Sequence, residues 1–208
     1  MFDAVIFDLD GTLIDTERLA MDATIAAFTT LGYPPDVNFL LQLVGKDNPT
    51  GDRLIAARYP EIDMSNLGRL VTASMQQALL TGIPLKPGVR TLLAQISYPK
   101  AIATSSSRIR AVEKIALAGL TADFEYLVSL DDVTHAKPNP EPYVTAARLL
   151  GVDPTRCLAF EDSEIGAEAA FSAGMRVVQV PDLVPSKGRY AHYLADDLLS
   201  GARAAGLI

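Results

Sequence analysis

Positive charge and sulfur are both scarce in this chain. Its 208 residues carry 18 Lys+Arg against 25 Asp+Glu, a formal net charge of −7. A nucleic-acid binder needs a basic face to neutralise phosphates, so this balance argues against that class. The same deficit poses a problem for any anionic substrate, which would have to be held by a metal ion or a few well-placed cations. The single cysteine, Cys157, has no partner for an internal disulfide and predicts a reducing compartment. It lies in the apolar run Cys157-Leu158-Ala159-Phe160 and reads as a buried thiol. No apolar stretch approaches the roughly 20 residues of a membrane span. The start, Met1-Phe2-Asp3-Ala4, lacks a basic leader, and its apolar run stops at Asp8 and Asp10. The expectation is a cytoplasmic protein with neither a membrane nor a nucleic-acid partner. The two histidines, His135 and His192, stand in no pattern that suggests a metal site or a catalytic pair.

What is present is an ordinary globular composition, 49% hydrophobic and 21% charged, at a length that suits one domain carrying a smaller insert. Five short runs read as strands: 4–7, 101–104, 126–129, 158–160 and 176–180. They are rich in apolar or β-branched residues and do not alternate, which fits strands covered on both faces of a parallel sheet. Helix-like segments lie between them near 87–96, 108–119, 139–151 and 163–173. Gly119, Gly151 and Gly174 close three of these, and Ser163 is placed to cap the last. This alternation predicts an α/β fold with a doubly wound, Rossmann-like parallel sheet.

One connection is too long for a single crossover. Between the strand ending near Asp8 and the next, near Ala101, apolar residues recur at helical spacing over 15–31, 36–44, 51–58 and 65–80. The interval reads as an inserted helical domain, 15–84, in a core formed by 1–14 and 85–208. Leu13–Glu17 and the Gly- and Pro-bearing stretch Gly82–Gly88 would tether it.

Doubly wound sheets bind ligands at the carboxyl ends of their strands. The first strand is followed by Asp8-Leu9-Asp10-Gly11-Thr12, two carboxylates on one side of a strand end. The second leads to Thr104-Ser105-Ser106-Ser107-Arg108, hydroxyls and free N–H groups at a helix start. After the third, three prolines stiffen Ala136-Lys137-Pro138-Asn139-Pro140-Glu141-Pro142 around a lysine. The fourth ends in Phe160-Glu161-Asp162-Ser163. Each feature alone has a plain reading: an Asp-Gly turn, a serine cap, a solvated lysine, acids favouring a helix N-terminus. Together, four strand ends bring acids, anion donors and a lysine to one rim. Hard oxygen ligands of this kind suit Mg²⁺, which shares its coordination with water and substrate phosphate.

The ordered set of Asp8-Leu9-Asp10-Gly11-Thr12, Thr104, Lys137 and Glu161-Asp162 resembles the four motifs of the haloacid dehalogenase-like hydrolases, over essentially the whole chain. The insert is similar to that family's small helical cap. The longer runs Phe7–Glu17 and Phe160–Gly166 look like the branch of β-phosphoglucomutase, phosphoglycolate phosphatase and sugar-phosphate phosphatases. The resemblance implies that Asp8 is the nucleophile and forms an aspartyl-phosphate. Asp10 would be general acid and then base, and the donors Thr104, Ser105 and Lys137 would hold the phosphoryl group. It implies Mg²⁺ bound by Asp8, the Asp10 carbonyl and Asp162, with Glu161 behind them, and a cap that closes and selects the substrate. Lys46, in the cap's Gly45-Lys46 step, is equally a substrate contact or an exposed lysine, and Arg108 reads as a solvated helix residue.

Dehalogenases lack the second aspartate, so Asp10 points to phosphoryl transfer. The expected activity is hydrolysis of a small phosphorylated metabolite, with a sugar phosphate as the leading class. The alternative is a sugar phosphomutase, but the mutase histidine is replaced here by Ala20. A phospho-aspartate receiver module is a third reading, disfavoured by the long insert and by Asp10. Oligomeric state is not legible in the chain, and a monomer is compatible with it.

Overall fold

Ala4–Phe7 (β1) is buried at every position, as a strand with helices on both faces must be. It lies at the centre of a six-stranded sheet with β2 (Lys100–Ala103), β3 (Tyr126–Val128), β4 (Cys157–Glu161), β5 (Arg176–Gln179) and β6 (Tyr193–Leu194). The order is β3-β2-β1-β4-β5-β6 and every pairing is parallel. The α/β doubly wound architecture expected from the sequence is therefore present. The five runs read as strands do not include β6, whose two residues form an edge strand too short to make an apolar run.

These coordinates come from a computed structural model, which describes residues 1–44 and 48–208. The chain divides into two compact units, Met1–Asp15 with Ile83–Ile208, and Thr16–Gly82. In the first, alternate residues of each strand face opposite layers. Ile6, Ala103, Ala159 and Val177 lie in one apolar cluster with Tyr143 of α7 (Glu141–Leu150) and Ala167 and Ala170 of α8 (Glu164–Ser172). Phe7 and Phe160 point the other way and stack with ring centroids 4.9 Å apart. Helices α5 (Val89–Gln95) and α9 (Leu198–Ala204) pair with each other, and α9 packs on β5. The remaining helix of this unit, α6 (Arg108–Leu117), follows β2.

The second unit holds α1 (Thr16–Thr30), α2 (Val37–Leu41), α3 (Asn48–Arg58) and α4 (Met64–Leu79), with α1 packed along α4. Asp36 and Asp63 cap α2 and α4 by accepting the N–H of Phe39 and Asn66. Its own core gathers Phe28, Leu40, Ile55, Ile62 and Leu67, and Tyr59 meets the rings of Phe28, Tyr33 and Phe39 edge-on. A cavity of about 790 Å³ lies within the unit, lined largely by apolar side chains such as Met21, Leu40 and Val71.

Where the chain leaves and re-enters the sheet unit, its two ends are stitched together. Asp15 N–H donates to Pro84 O at 2.9 Å, Lys86 N–H donates to Leu13 O at 3.0 Å, and Ile14 bridges Leu85. The Lys86 ammonium adds ion pairs to Asp15 at 3.4 Å and Asp182 at 2.5 Å.

Because Phe160 is fully buried against Phe7, Phe160→Ala is expected to cost about 3–5 kcal/mol of stability. Ile109→Ala, at a residue 82% exposed, is expected to stay within about 0.5 kcal/mol. Urea unfolding of both variants checks this, and equal losses would contradict the assigned core.

Candidate active site

The β1–β4 pairing sets the register of the site. Phe7 lies opposite Phe160, so the next residues, Asp8 and Glu161, emerge side by side at the carboxyl edge. Asp8 N–H donates to Phe160 O at 2.9 Å, which carries the ladder one step past the strand. This is where the strand order reverses, the place at which doubly wound sheets open a crevice.

Lys137 reaches this point from the proline-stiffened loop before α7, with a cis peptide bond between it and Pro138. Its ammonium donates to Asp8 Oδ1 at 2.7 Å and to Glu161 Oε1 at 2.6 Å. Its side chain is 4% exposed, against 10% for Asp8 and 1% for Glu161. Burial alone would push the Lys137 ammonium towards its neutral form, but the two carboxylates outweigh that and leave it more basic than usual.

Glu161, expected to stand behind the metal ligands, has both oxygens occupied by donors. Oε1 also accepts from Tyr143 Oη at 2.7 Å, and burial, reinforced by the Glu161 carboxylate, holds that phenol well above its ordinary pKa. Oε2 accepts from Asp162 N–H at 3.2 Å, Ser163 N–H at 3.4 Å and Ser163 Oγ at 3.2 Å. Ser163 in turn caps α8 by accepting Gly166 N–H at 3.0 Å. Gly166 is dictated by this packing. A Cβ there would lie 1.9–2.1 Å from the Glu161 carboxyl atoms, so the first turn of α8 can approach the acid only without a side chain. Gly11 answers a similar demand, with φ +86° and an imagined Cβ 2.5 Å from Asp162 Oδ2.

Asp8, Glu161 and Asp162 each offer an oxygen within 4.8 Å of the others. Two of them, Asp8 and Glu161, share the Lys137 ammonium. Burial, partly offset by Lys137 and reinforced by Glu161, pushes the Asp8 carboxyl up to about 8. Buried anionic charge in excess of its cations, presented as hard oxygens, is the donor set a divalent cation of the Mg²⁺ kind fits.

The remaining expected residues are placed as follows. Thr104 is buried at the end of β2, and its hydroxyl accepts Ser106 N–H at 3.1 Å, while Ser105 is exposed. Register puts Thr104 next to the Asp8 end of β1, since Phe7 pairs with Ile102. Arg108 pairs with Asp132 at 2.5 Å and with Leu127 O. His135 bonds Glu141, and the His192 ring accepts Val177 N–H, so both histidines have structural partners. Lys46 falls outside the described residues.

Asp10 is held by a lysine that no sequence motif marks and by a serine of the Thr104–Arg108 run. Lys114 of α6 donates to both its oxygens, at 2.7 Å and 2.9 Å, and Ser106 Oγ donates to Oδ2 at 2.9 Å. Tyr143 and Gln179 are similar omissions, the latter donating to Asp162 O at 3.3 Å. A lysine on a helix and a tyrosine in an apolar stripe carry no sign of what they face.

Comparison with known proteins identifies the family. The family described as haloacid dehalogenase-like hydrolase matches residues 5–180. Fructose-1-phosphate phosphatase YqaB of Escherichia coli is 32% identical over 86% of this chain and 96% of its own. A phosphorylated carbohydrates phosphatase of Thermotoga maritima is 32% identical over 83% of this chain and 82% of its own. A haloacid dehalogenase-family hydrolase of Deinococcus radiodurans, solved with bound phosphate and sodium, superposes with a TM-score of 0.88 at 26% identity, covering 100% and 97% of the two chains. The chain belongs to the haloacid dehalogenase-like hydrolase family and is an enzyme of its phosphatase kind.

Removing the shared cation tests the electrostatics. Lys137→Met leaves Asp8 and Glu161 without their ammonium and is expected to destabilise the metal-free protein by about 3–5 kcal/mol in urea. Adding Glu161→Gln to that variant is expected to return part of the loss, whereas additive losses would show that the two groups do not depend on one another.

Proposed function

We propose that this enzyme is a Mg²⁺-dependent phosphatase of small phosphorylated metabolites, with sugar phosphates as the leading class, working through a phosphoaspartate at Asp8. The observation that carries the reading is the shared pocket of Asp8, Glu161, Asp162 and Lys137 at the reversal point of the sheet. The relatives named for fructose 1-phosphate and phosphorylated carbohydrates supply the substrate class. The helical unit serves as the substrate-selecting cap.

Asp8 and Asp162 would hold the ion through their carboxylates and Asp10 through its backbone carbonyl. When bound, it supplies charge neutralisation for a phosphoryl group. The chain's own residues do the rest. An Asp8 carboxylate oxygen bonds to phosphorus as the bond to the ester oxygen breaks, and Asp10 gives that oxygen its proton. Water then attacks the phosphoaspartate and yields its proton to Asp10, which releases inorganic phosphate and restores Asp8. Lys137 keeps a fixed positive charge beside the nucleophile, so that charge need not be recruited from solvent as the reaction proceeds. Thr104, with the Ser105 N–H, contributes neutral donors to the phosphoryl oxygens. In α1, Ala20 stands where the mutases of this branch carry histidine, and it offers no group to deprotonate a sugar hydroxyl. Hydrolysis is the reading it favours over phosphomutation.

Two measurements test this function. A panel of phosphorylated sugars with Mg²⁺ is expected to give inorganic phosphate with the wild type and none with Asp8→Asn or with chelator. A wild type inert towards the whole panel would refute the reading. Mg²⁺ at a hundredfold its dissociation constant is expected to raise stability by about 2.7 kcal/mol in thermal unfolding, and Asp162→Asn to abolish most of that gain.

A further inference from the structure

The cluster around Asp10 is not explained by the metal or by the phosphate. Its carboxylate takes both contacts from Lys114 and one from Ser106, and Lys114 also donates to Ser106 Oγ at 3.0 Å. The three side chains therefore close a ring of hydrogen bonds. Asp10 and Lys114 are each 25% exposed, so this pair is more enclosed than an ordinary surface ion pair. Burial immobilises Asp8 but does not do so for Asp10, whose side chain leaves a turn through Gly11.

We propose that Lys114 is the positioning residue for Asp10. Its ammonium grips both carboxylate oxygens from helix α6, and Ser106 fixes the rotation of the group by bonding one of them. The two acids of the Asp8-Leu9-Asp10 segment are thereby served by separate lysines. Lys137 arrives from the loop before α7 and holds the nucleophile, and Lys114 arrives from α6 and aims the proton donor. A flexible acid two residues from the nucleophile would spend much of its time turned to solvent, and proton transfer demands hydrogen-bond reach of the leaving oxygen. Anchoring it on the helix that follows the second strand removes that freedom. Ser106, which the sequence places in an anion-binding run, belongs to this device through its side chain.

The inference rests on Asp10 acting as general acid, so the experiment separates the two ideas. Compare kcat/KM for phenyl phosphate, whose leaving phenol has a pKa of about 10, with that for 2,4-dinitrophenyl phosphate, whose phenolate leaves without a proton. Asp10→Asn is expected to lose phenyl phosphate turnover selectively. Lys114→Met is expected to lose phenyl phosphate turnover by about tenfold or more, a part of the 10²–10⁴ that proton transfer contributes, with little change for dinitrophenyl phosphate. Lys114→Arg is expected to restore much of the phenyl phosphate rate, and Ser106→Ala, which removes no charge, to show the same selectivity at smaller size.

Equal losses on both esters in Lys114→Met and Ser106→Ala would assign the cluster to folding or substrate binding and overturn the proposal. So would no loss on either. An Asp10→Asn variant without leaving-group selectivity would overturn the general-acid reading itself.

Discussion

One ammonium with almost no access to water holds this site together. Lys137 sits between Asp8 and Glu161, and each of the three would be costly to bury alone. The placement of Asp8 therefore depends on the lysine loop after β3. The loop depends on Glu161 at the end of β4, and Glu161 depends on the bare first turn of α8, where Gly166 makes room. None of these can shift by an ångström without stranding a charge. The surplus of acid over base that remains suits a divalent cation, which under the proposed function would in turn hold an anionic ester.

Much of the fold was legible because strands covered on both faces leave apolar runs, as the fully buried β1 and β4 do, even though Tyr126 of β3 and Arg176 of β5 are exposed. Ser163 announced its helix in the same way, by an exposed-chain preference that its hydroxyl satisfies at Gly166 N–H. β6 left no trace, since two residues at a sheet edge need no apolar pattern. Asp8, Asp10, Lys137 and Asp162 stood out because each terminates an apolar strand or sits in a rigid loop, where a charge calls for a reason.

Lys114, Tyr143 and Ser106 did not stand out, and the reason is physical. Lys114 lies in an amphipathic helix with Arg110 and Glu113, where a lysine normally points to solvent, and only tertiary packing turns its head inward. Tyr143 is one apolar-stripe residue among Pro142, Ala146 and Ala147, and only its hydroxyl, bonded to Glu161, distinguishes it from core filler. Serine runs at helix starts are common caps. Partners that act through another side chain carry no periodicity of their own, so a one-dimensional pattern finds the groups that touch chemistry sooner than those that hold them still.

The order β3-β2-β1-β4-β5-β6 has a consequence for the life of the chain before it is finished. Asp8 precedes Lys137, Glu161 and Asp162 by more than half of this sequence, so a ribosome releases it well before its lysine and its fellow carboxylates. The pocket of charges is therefore assembled only when segments distant in the sequence have met.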